Sequence, residues 1–338
     1  MRWIASVLLV VVMTVSASLS QAAEKATRIA VSYPGPYSLT YLPIDLIPKI
    51  GADRAEGAEV RLVPASGGGV AMDNMLNRNA DFIVVGLLAG LSARQAGSPL
   101  SVIAAVSDRP VFVLVVRSSL RDSVRSVADL RGRAIGVLTS SLSTKTASQQ
   151  LVELVLTSAG VSLGDVRIVA AGQGWKENSA ILETGGVDAI MAFEPVASRL
   201  RAEGKVFPLL NLADPADAAT ISGSNFLHAT LMTRPDVVES SPETVATMVR
   251  VLRRTLEWMA SHSPEEMLAA LDIKDAEERK HLLTAMKEYS RLYSRDGVLK
   301  PEQLKDTAFL FANANGVDIE KARRLLDSIV VSKWTAGK

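Results

Sequence analysis

The chain has 338 residues, 37 of them Lys or Arg and 36 Asp or Glu, and it contains no cysteine. So even a balance gives no electrostatic reason to bind nucleic acid or anionic lipid, since both demand a basic patch. The missing cysteine excludes disulfides, thiolate metal sites, a cysteine nucleophile and a lipid-modified N-terminal cysteine.

Arg2 precedes an apolar run from Ile4 to Val15, and small or polar residues follow from Ser16 to Ala23. That is the layout of a secretory signal peptide over residues 1–22, with Ser20 and Ala22 at the −3 and −1 positions of the cut. A membrane-spanning helix needs about 20 apolar residues, more than this run offers, and no later stretch reaches that length. The expectation is a soluble mature chain, cleaved near Ala22. With no lipid anchor it needs a closed extracytoplasmic space, the periplasm. The part left after residue 22 is longer than one core usually supports, which argues for two lobes.

Strand-like and helix-like apolar segments alternate along most of the chain, the mark of an α/β fold with largely parallel sheets. Strands are expected at Arg28–Ser32, Val60–Pro64, Phe82–Val85, Leu100–Val106 and Val111–Arg117, with helices at Leu42–Ile50, Val70–Arg78 and Leu87–Gln95. A second unit has strands at Arg133–Leu138, Val166–Ala170 and Val187–Ala192, and helices at Thr144–Ser158 and Ser179–Glu183. The pattern of turn residue, small residue, Asp and strand occurs twice, at Asn79-Ala80-Asp81-Phe82 and Gly186-Val187-Asp188-Ala189. It marks either two similar lobes or one common turn chemistry used twice. The last third is helical. Val245, Met248, Val249, Leu252, Leu256 and Met259 share one helix face, with Ser241-Pro242 as its start. Ser263-Pro264-Glu265-Glu266 reads as a capping box, and Arg250, Arg253 and Arg254 as a solvated face.

Enzymatic signatures fail one by one. Gly67-Gly68-Gly69 lacks the Lys-Ser/Thr of a phosphate loop, and residue 72 is Met where a dinucleotide fingerprint needs glycine. Gly172 and Gly174 fail likewise at Glu177, and no Gly-x-Ser-x-Gly elbow occurs. His228, His262 and His281 lack metal-ligand spacing and read as ordinary core or surface histidines, so no metal, cofactor or catalytic residue is expected. What remains is four polar loops at the carboxyl ends of strands, where open α/β sheets bind ligands: Tyr37–Thr40, Ser66–Gly68, Thr139–Thr144 and Gln173–Lys176. Helices that start there aim free N–H groups at an anion, although plain helix capping explains each loop taken singly.

In this order the segments Arg28-Ile29-Ala30-Val31, Ala80-Asp81-Phe82, Gln95-Ala96-Gly97-Ser98-Pro99-Leu100, Val127 to Val137, Val187-Asp188-Ala189, Glu194-Pro195 and Gly204 resemble the nitrate/sulfonate/taurine-type solute-binding proteins of ABC importers. The resemblance runs from Arg28 to about Leu271, and Val127–Val137 is its most specific stretch. It implies a type II periplasmic-binding fold, two α/β lobes joined by two crossing hinge strands: lobe one from residues 23–113 plus 227–338, lobe two from 114–226. It also implies a monomer that hands a small solute to a membrane permease. By family position the ligand residues are Tyr37, Ser38, Ser66, Gly67, Gly86, Arg109, Thr139, Ser140, Trp175 and Glu194. Arg109 and Lys176 would neutralise an anionic head, and Trp175 or Tyr37 would cover an apolar body. Arg109 reads equally well as a salt-bridge partner, and Glu194 as a helix-start residue before Pro195.

Two departures separate the chain from that family: the loop Tyr33-Pro34-Gly35-Pro36-Tyr37 is rich in proline and aromatics, and Gly51 to Gly57 replaces an acidic and aromatic run. Sulfonate or nitrate therefore does not transfer with the resemblance. Two alternatives stand beside the importer subunit. One is a fold-related enzyme of precursor biosynthesis, although the cysteine-rich motif of the pyrimidine makers is missing. The other is an exported sensor subunit.

Overall fold

The computed structural model describes residues 26–139, 142, 145–289 and 291–335; the expected signal peptide and Ser140 lie outside the described residues. Two five-stranded sheets carry the fold. In the first, β1 (Thr27–Pro34), β2 (Ala58–Ala65), β3 (Phe82–Gly86), β4 (Ser101–Ser107) and β10 (Ala229–Thr233) lie in the order β2-β1-β3-β10-β4. In the second, β5 (Phe112–Arg117), β6 (Ala134–Val137), β7 (Arg167–Ala170), β8 (Ala189–Phe193) and β9 (Val206–Asn211) lie in the order β7-β6-β8-β5-β9. Each sheet is parallel except for one inserted antiparallel strand, β10 in the first and β5 in the second. Those two are the strands by which the chain enters a sheet from the other lobe.

Around the first sheet lie α1 (Leu42–Ile50), α2 (Gly68–Leu76) and α3 (Leu87–Gln95); around the second lie α4 (Ala147–Ser158), α5 (Trp175–Glu183) and α6 (Val196–Ala202). The C-terminal third supplies α7 (Pro242–Ser261), α8 (Pro264–Leu271), α9 (Ala276–Glu288), α10 (Pro301–Asn315) and α11 (Ile319–Asp327). Strands such as Phe82–Gly86 and Ser101–Ser107 are buried at every residue, as expected where helices cover both faces of a parallel sheet. The apolar stripe of α7 packs against the first sheet, with Val245, Met248, Val249, Leu252 and Leu256 in one cluster with Ile29, Val31 and Phe82.

The repeated Asp motif has one physical cause. Asp81 Oδ2 accepts from Ala30 N at 2.8 Å in β1, and Asp188 Oδ2 accepts from Ala134 N at 3.0 Å in β6. Each aspartate also returns its own N–H to the same residue's carbonyl, at 2.9 and 2.8 Å. One turn chemistry thus holds the same pair of strands together in each sheet, so the two readings of the repeat are one.

Some expectations need correction. α5 begins at Trp175 rather than Ser179, because Glu177 Oε2 accepts from Gln173 N and Gly174 N and so caps the earlier start. Strand β9 was not foreseen; Pro208 interrupts its pattern, and a proline that cannot donate is tolerated on this edge strand. Ser241 makes no side-chain cap, whereas Ser263 and Glu266 form the expected box. Arg250 and Arg254 do not simply face solvent but converge on Glu56, at 3.1 and 2.6 Å.

If the two aspartates do one job, Asp81→Ala and Asp188→Ala each leave a backbone N–H without its acceptor. Each is expected to lower unfolding stability by about 1–3 kcal/mol in urea titrations. The Asp188 change costs the more of the two, because it also removes the 2.9 Å pair with Arg117.

Candidate functional site

The carboxyl ends of the parallel strands in the two sheets face each other across a cleft. Two connections cross it. Outward, residues 108–111 lead from β4 to β5; inward, the chain returns to β10 through His228. The crossings are tied to each other and to the lobes: His228 N donates to Ser107 O at 3.3 Å, Leu212 N to Phe112 O at 2.9 Å and Glu194 N to Val111 O at 3.0 Å. His228 is buried between the rings of Phe112 and Phe226, 5.4 and 5.9 Å away. Burial pushes its pKa down to about 4, so the imidazole is neutral at pH 7.

The loop after β1 is held from below. Tyr33 donates its hydroxyl to Asp45 Oδ1, and Tyr37 N donates to Asp45 Oδ2 at 2.9 Å. Tyr37 sits at φ 62, and a Cβ at Gly35 would lie 2.2 Å from the Tyr33 ring, so only glycine fits there. Burial raises Asp45 to about 6, against the opposing effect of its hydrogen bonds from Tyr33 and Tyr37. Ser38 follows, half-buried, its carbonyl accepting from Tyr41 N.

Across the cleft the glycine turn after β2 approaches the loop after β7. A Cβ on Gly67 would come within 2.5 Å of the Gln173 side-chain amide. Gly86, at the start of α3, lies near Ala147 at the start of α4, with 3.9 Å from the position of a Cβ to the Ala147 methyl carbon. α2, α3 and α5 begin at glycines with no side-chain cap on their first turns, whereas α4 and α6 each have a first-turn N–H taken, by Thr146 and Glu194. Thr139 is buried and joins the loops after β6 and β7, its carbonyl accepting from Gly172 N at 3.0 Å.

The other expected residues take varied places. Ser66 and Lys176 are exposed beside the cleft loops, and Arg109 is exposed on the outward crossing with no ion pair among the described residues. One face of the Trp175 ring is covered by the Arg199 guanidinium at 3.5 Å, and its buried Nε1 has no acceptor. Glu194 is only 1% exposed. Its Oε2 accepts from Ser198 N at 3.0 Å, capping α6, while its Oε1 accepts from the Tyr289 hydroxyl at 3.1 Å. Tyr289 also accepts from Asn211 Nδ2 at 3.2 Å, so one hydroxyl at the end of α9 bridges to the second lobe. Arg201 and Glu288 add an ion pair at 2.9 Å beside it. Gln173 lies inside a loop read from the sequence, whereas Tyr289 and Asn211 carry no local signal because their partners are distant in the chain. Asp45 binds Tyr33 and Tyr37, 12 and 8 residues earlier, with no motif to mark it. Among the described residues no group of His, Asp and Glu could hold a metal ion.

A family profile described as NMT1/THI5 like matches residues 54–267. The chain belongs to this NMT1/THI5-like family. No curated protein matches it. Among solved structures it is similar to the alkanesulfonate-binding protein SsuA of Xanthomonas axonopodis pv. citri bound to MOPS, at 17% identity and TM-score 0.71, covering 91% of this chain and 99% of that one. It is also similar to the periplasmic nitrate-binding protein NrtA of Synechocystis PCC 6803, at 11% identity and TM-score 0.70, covering 92% and 87%. The desulfurization enzyme DszB is a further match, at 17% identity and TM-score 0.59, covering 91% and 98%. This NMT1/THI5-like chain therefore has the two-lobed periplasmic-binding fold that the resemblance implied.

Two outcomes follow for the loops. Asp45 is raised on folding from 3.8 to about 6, so its contribution to stability is present below pH 4 and is lost as pH rises to about 6. Urea titrations from pH 4 to 8 should show this fall, on the order of 1–3 kcal/mol, in the wild type and not in Asp45→Asn. Tyr289→Phe leaves buried Glu194 Oε1 without its donor and should cost about 1–3 kcal/mol at pH 7 in the same assay.

Proposed function

We propose that this protein is the extracytoplasmic solute-binding subunit of an ABC importer. It captures a small organic or anionic solute in the cleft and presents the closed form to a membrane permease. The observation that carries this reading is the approach of Gly67 and Gln173 across the cleft, between lobes linked by two chain crossings beside it. Such a hinge lets closure proceed as a rigid-body movement about a few residues. The solute shifts the equilibrium only through contacts that are tighter in the closed form. The first turns of α2 and α5, which begin at Gly67 and Gly174 without a side-chain cap, favour a negatively charged or strongly accepting group between them. The sulfonate- and nitrate-binding neighbours support the same class of solute.

In this reading the protein divides into residues 23–113 with 227–338, and 114–226. It is exported, cleaved near Ala22, and works as a monomer in the periplasm without a cofactor. Tyr37, Ser38, Ser66, Gly67, Gly86, Arg109, Thr139, Ser140, Trp175 and Lys176 line or approach the solute, while Glu194 serves the lobe contact. The reading favours binding over catalysis because Asp45 and Glu194, buried acids beside the cleft, are both committed to holding loops and helix ends.

A thermal-shift screen of the mature chain tests this, using sulfonates, nitrate, carboxylates, aromatic acids, pyrimidines and polyamines. A ligand at about 100 times its Kd stabilises the fold by roughly 2.7 kcal/mol. One chemically coherent class of hits, recovered unchanged, is expected. Gly67→Leu should then weaken those hits at least about tenfold, about 1.4 kcal/mol, with the unliganded Tm unaltered. Conversion of a hit into product would replace this reading with the enzyme.

A further inference from the structure

A second cavity lies away from the cleft. It has a volume of about 470 Å³ and sits between the last turn of α3, the C-terminal end of α10 and one face of α11. α3 starts at the cleft beside Gly86, and its nine residues span about 13 Å at 1.5 Å each, so Arg94 at its far end is a separate location. Three cationic side chains line the cavity, Arg94, Lys321 and Arg324, and no acidic residue does. Two acids near the start of α11 are engaged elsewhere: Glu320 pairs with Arg323 at 2.5 Å, and Asp318 accepts from Glu320 N and Lys321 N as the cap of α11. Arg94 Nε is buried with no acceptor among the described residues. The rest of the lining includes the apolar residues Phe311, Val317, Ala322 and Leu325.

We infer that this cavity is a binding site for a small amphiphilic organic anion, its carboxylate or phosphate held by Arg94, Lys321 and Arg324 and its apolar body against Phe311, Val317 and Leu325. Three like charges around one hollow repel one another, and an anion relieves that repulsion while supplying the acceptor that Arg94 Nε lacks. A guanidinium suits this use, because it stays charged and offers a planar fork to an oxyanion. The volume matches ordinary small-molecule pockets, which pair an apolar lining with a few convergent polar groups. The last turns of α3 and α10 bring the negative ends of their helix dipoles near, so the site depends on side-chain cations rather than on backbone N–H groups.

Isothermal titration of the mature chain with phenyl phosphate tests this, with inorganic phosphate as the head-group control. The expected result is one saturable site in the groove, with weaker binding of inorganic phosphate and affinity that falls as NaCl rises. Arg94→Gln with Arg324→Gln should weaken phenyl phosphate at least tenfold. Lys321→Gln, at an exposed position, should weaken it severalfold and guards against a folding defect in the double variant. Gly67→Trp, which fills the cleft, should leave this binding intact. The inference is overturned if phenyl phosphate does not bind, if the cationic variants bind it unchanged, or if Gly67→Trp abolishes it. Tighter binding of hexaglutamate than of phenyl phosphate would also overturn it, in favour of an acidic segment of a protein partner.

Discussion

Each lobe is completed by a strand that arrives from the other. β10 enters the first sheet between β3 and β4, and β5 enters the second between β8 and β9, each antiparallel to both of its neighbours. An inserted strand gives up its hydrogen-bond ladders on both sides if it leaves, so the crossings are anchored at both ends and only their short middles are available to bend. That constraint also turns the carboxyl edges of the parallel strands toward each other. The cleft, its loops and its helix starts all follow from it.

Around the cleft, buried polar groups hold the surfaces in place. Asp45 takes one hydrogen bond from a strand side chain and another from a loop backbone, and so fixes an otherwise proline- and glycine-rich turn. Glu194 likewise spends one oxygen on a helix start and the other on a tyrosine of the opposite lobe. Leaving either acid without donors would be costly, because a buried carboxylate loses its water and regains little else. The surface of the cleft is therefore built largely from glycines, backbone and loop residues whose positions are decided one layer deeper.

The C-terminal helices bind the two lobes together as well as extending the first. Lys145, just ahead of α4, donates to Ala314 O of α10 at 2.6 Å and pairs with Glu153 at 2.7 Å. Gln150 of α4 reaches Ser92 of α3 at 3.4 Å. Asp108 on the outward crossing is paired with Lys300 at the start of α10, and Gln303 donates to its carbonyl at 2.8 Å. Movement of the lobes thus has to be accommodated at α10, the helix that also forms one side of the cationic groove.

The two-lobed α/β fold was legible in the sequence because its signals are local. Alternating apolar runs marked β1, β3, β4 and β6, and the stripe on α7 was complete in sequence. Gly-rich loops at the ends of strands pointed to the cleft, and the two Asp turns hinted at a repeated sheet. The early start of α5 and the edge strand β9 were not legible, since a side-chain cap and an edge position override the local pattern. Nor was the division of labour among the polar residues. Glu194 is one of the ligand candidates in the sequence, yet Tyr289, 95 residues on, gives it a structural task. Arg94, Lys321 and Arg324 likewise share no sequence neighbourhood. Periodicity and turn chemistry act over a few residues and declare themselves along the chain; hydrogen bonds, ion pairs and cavities form between segments that only folding brings together.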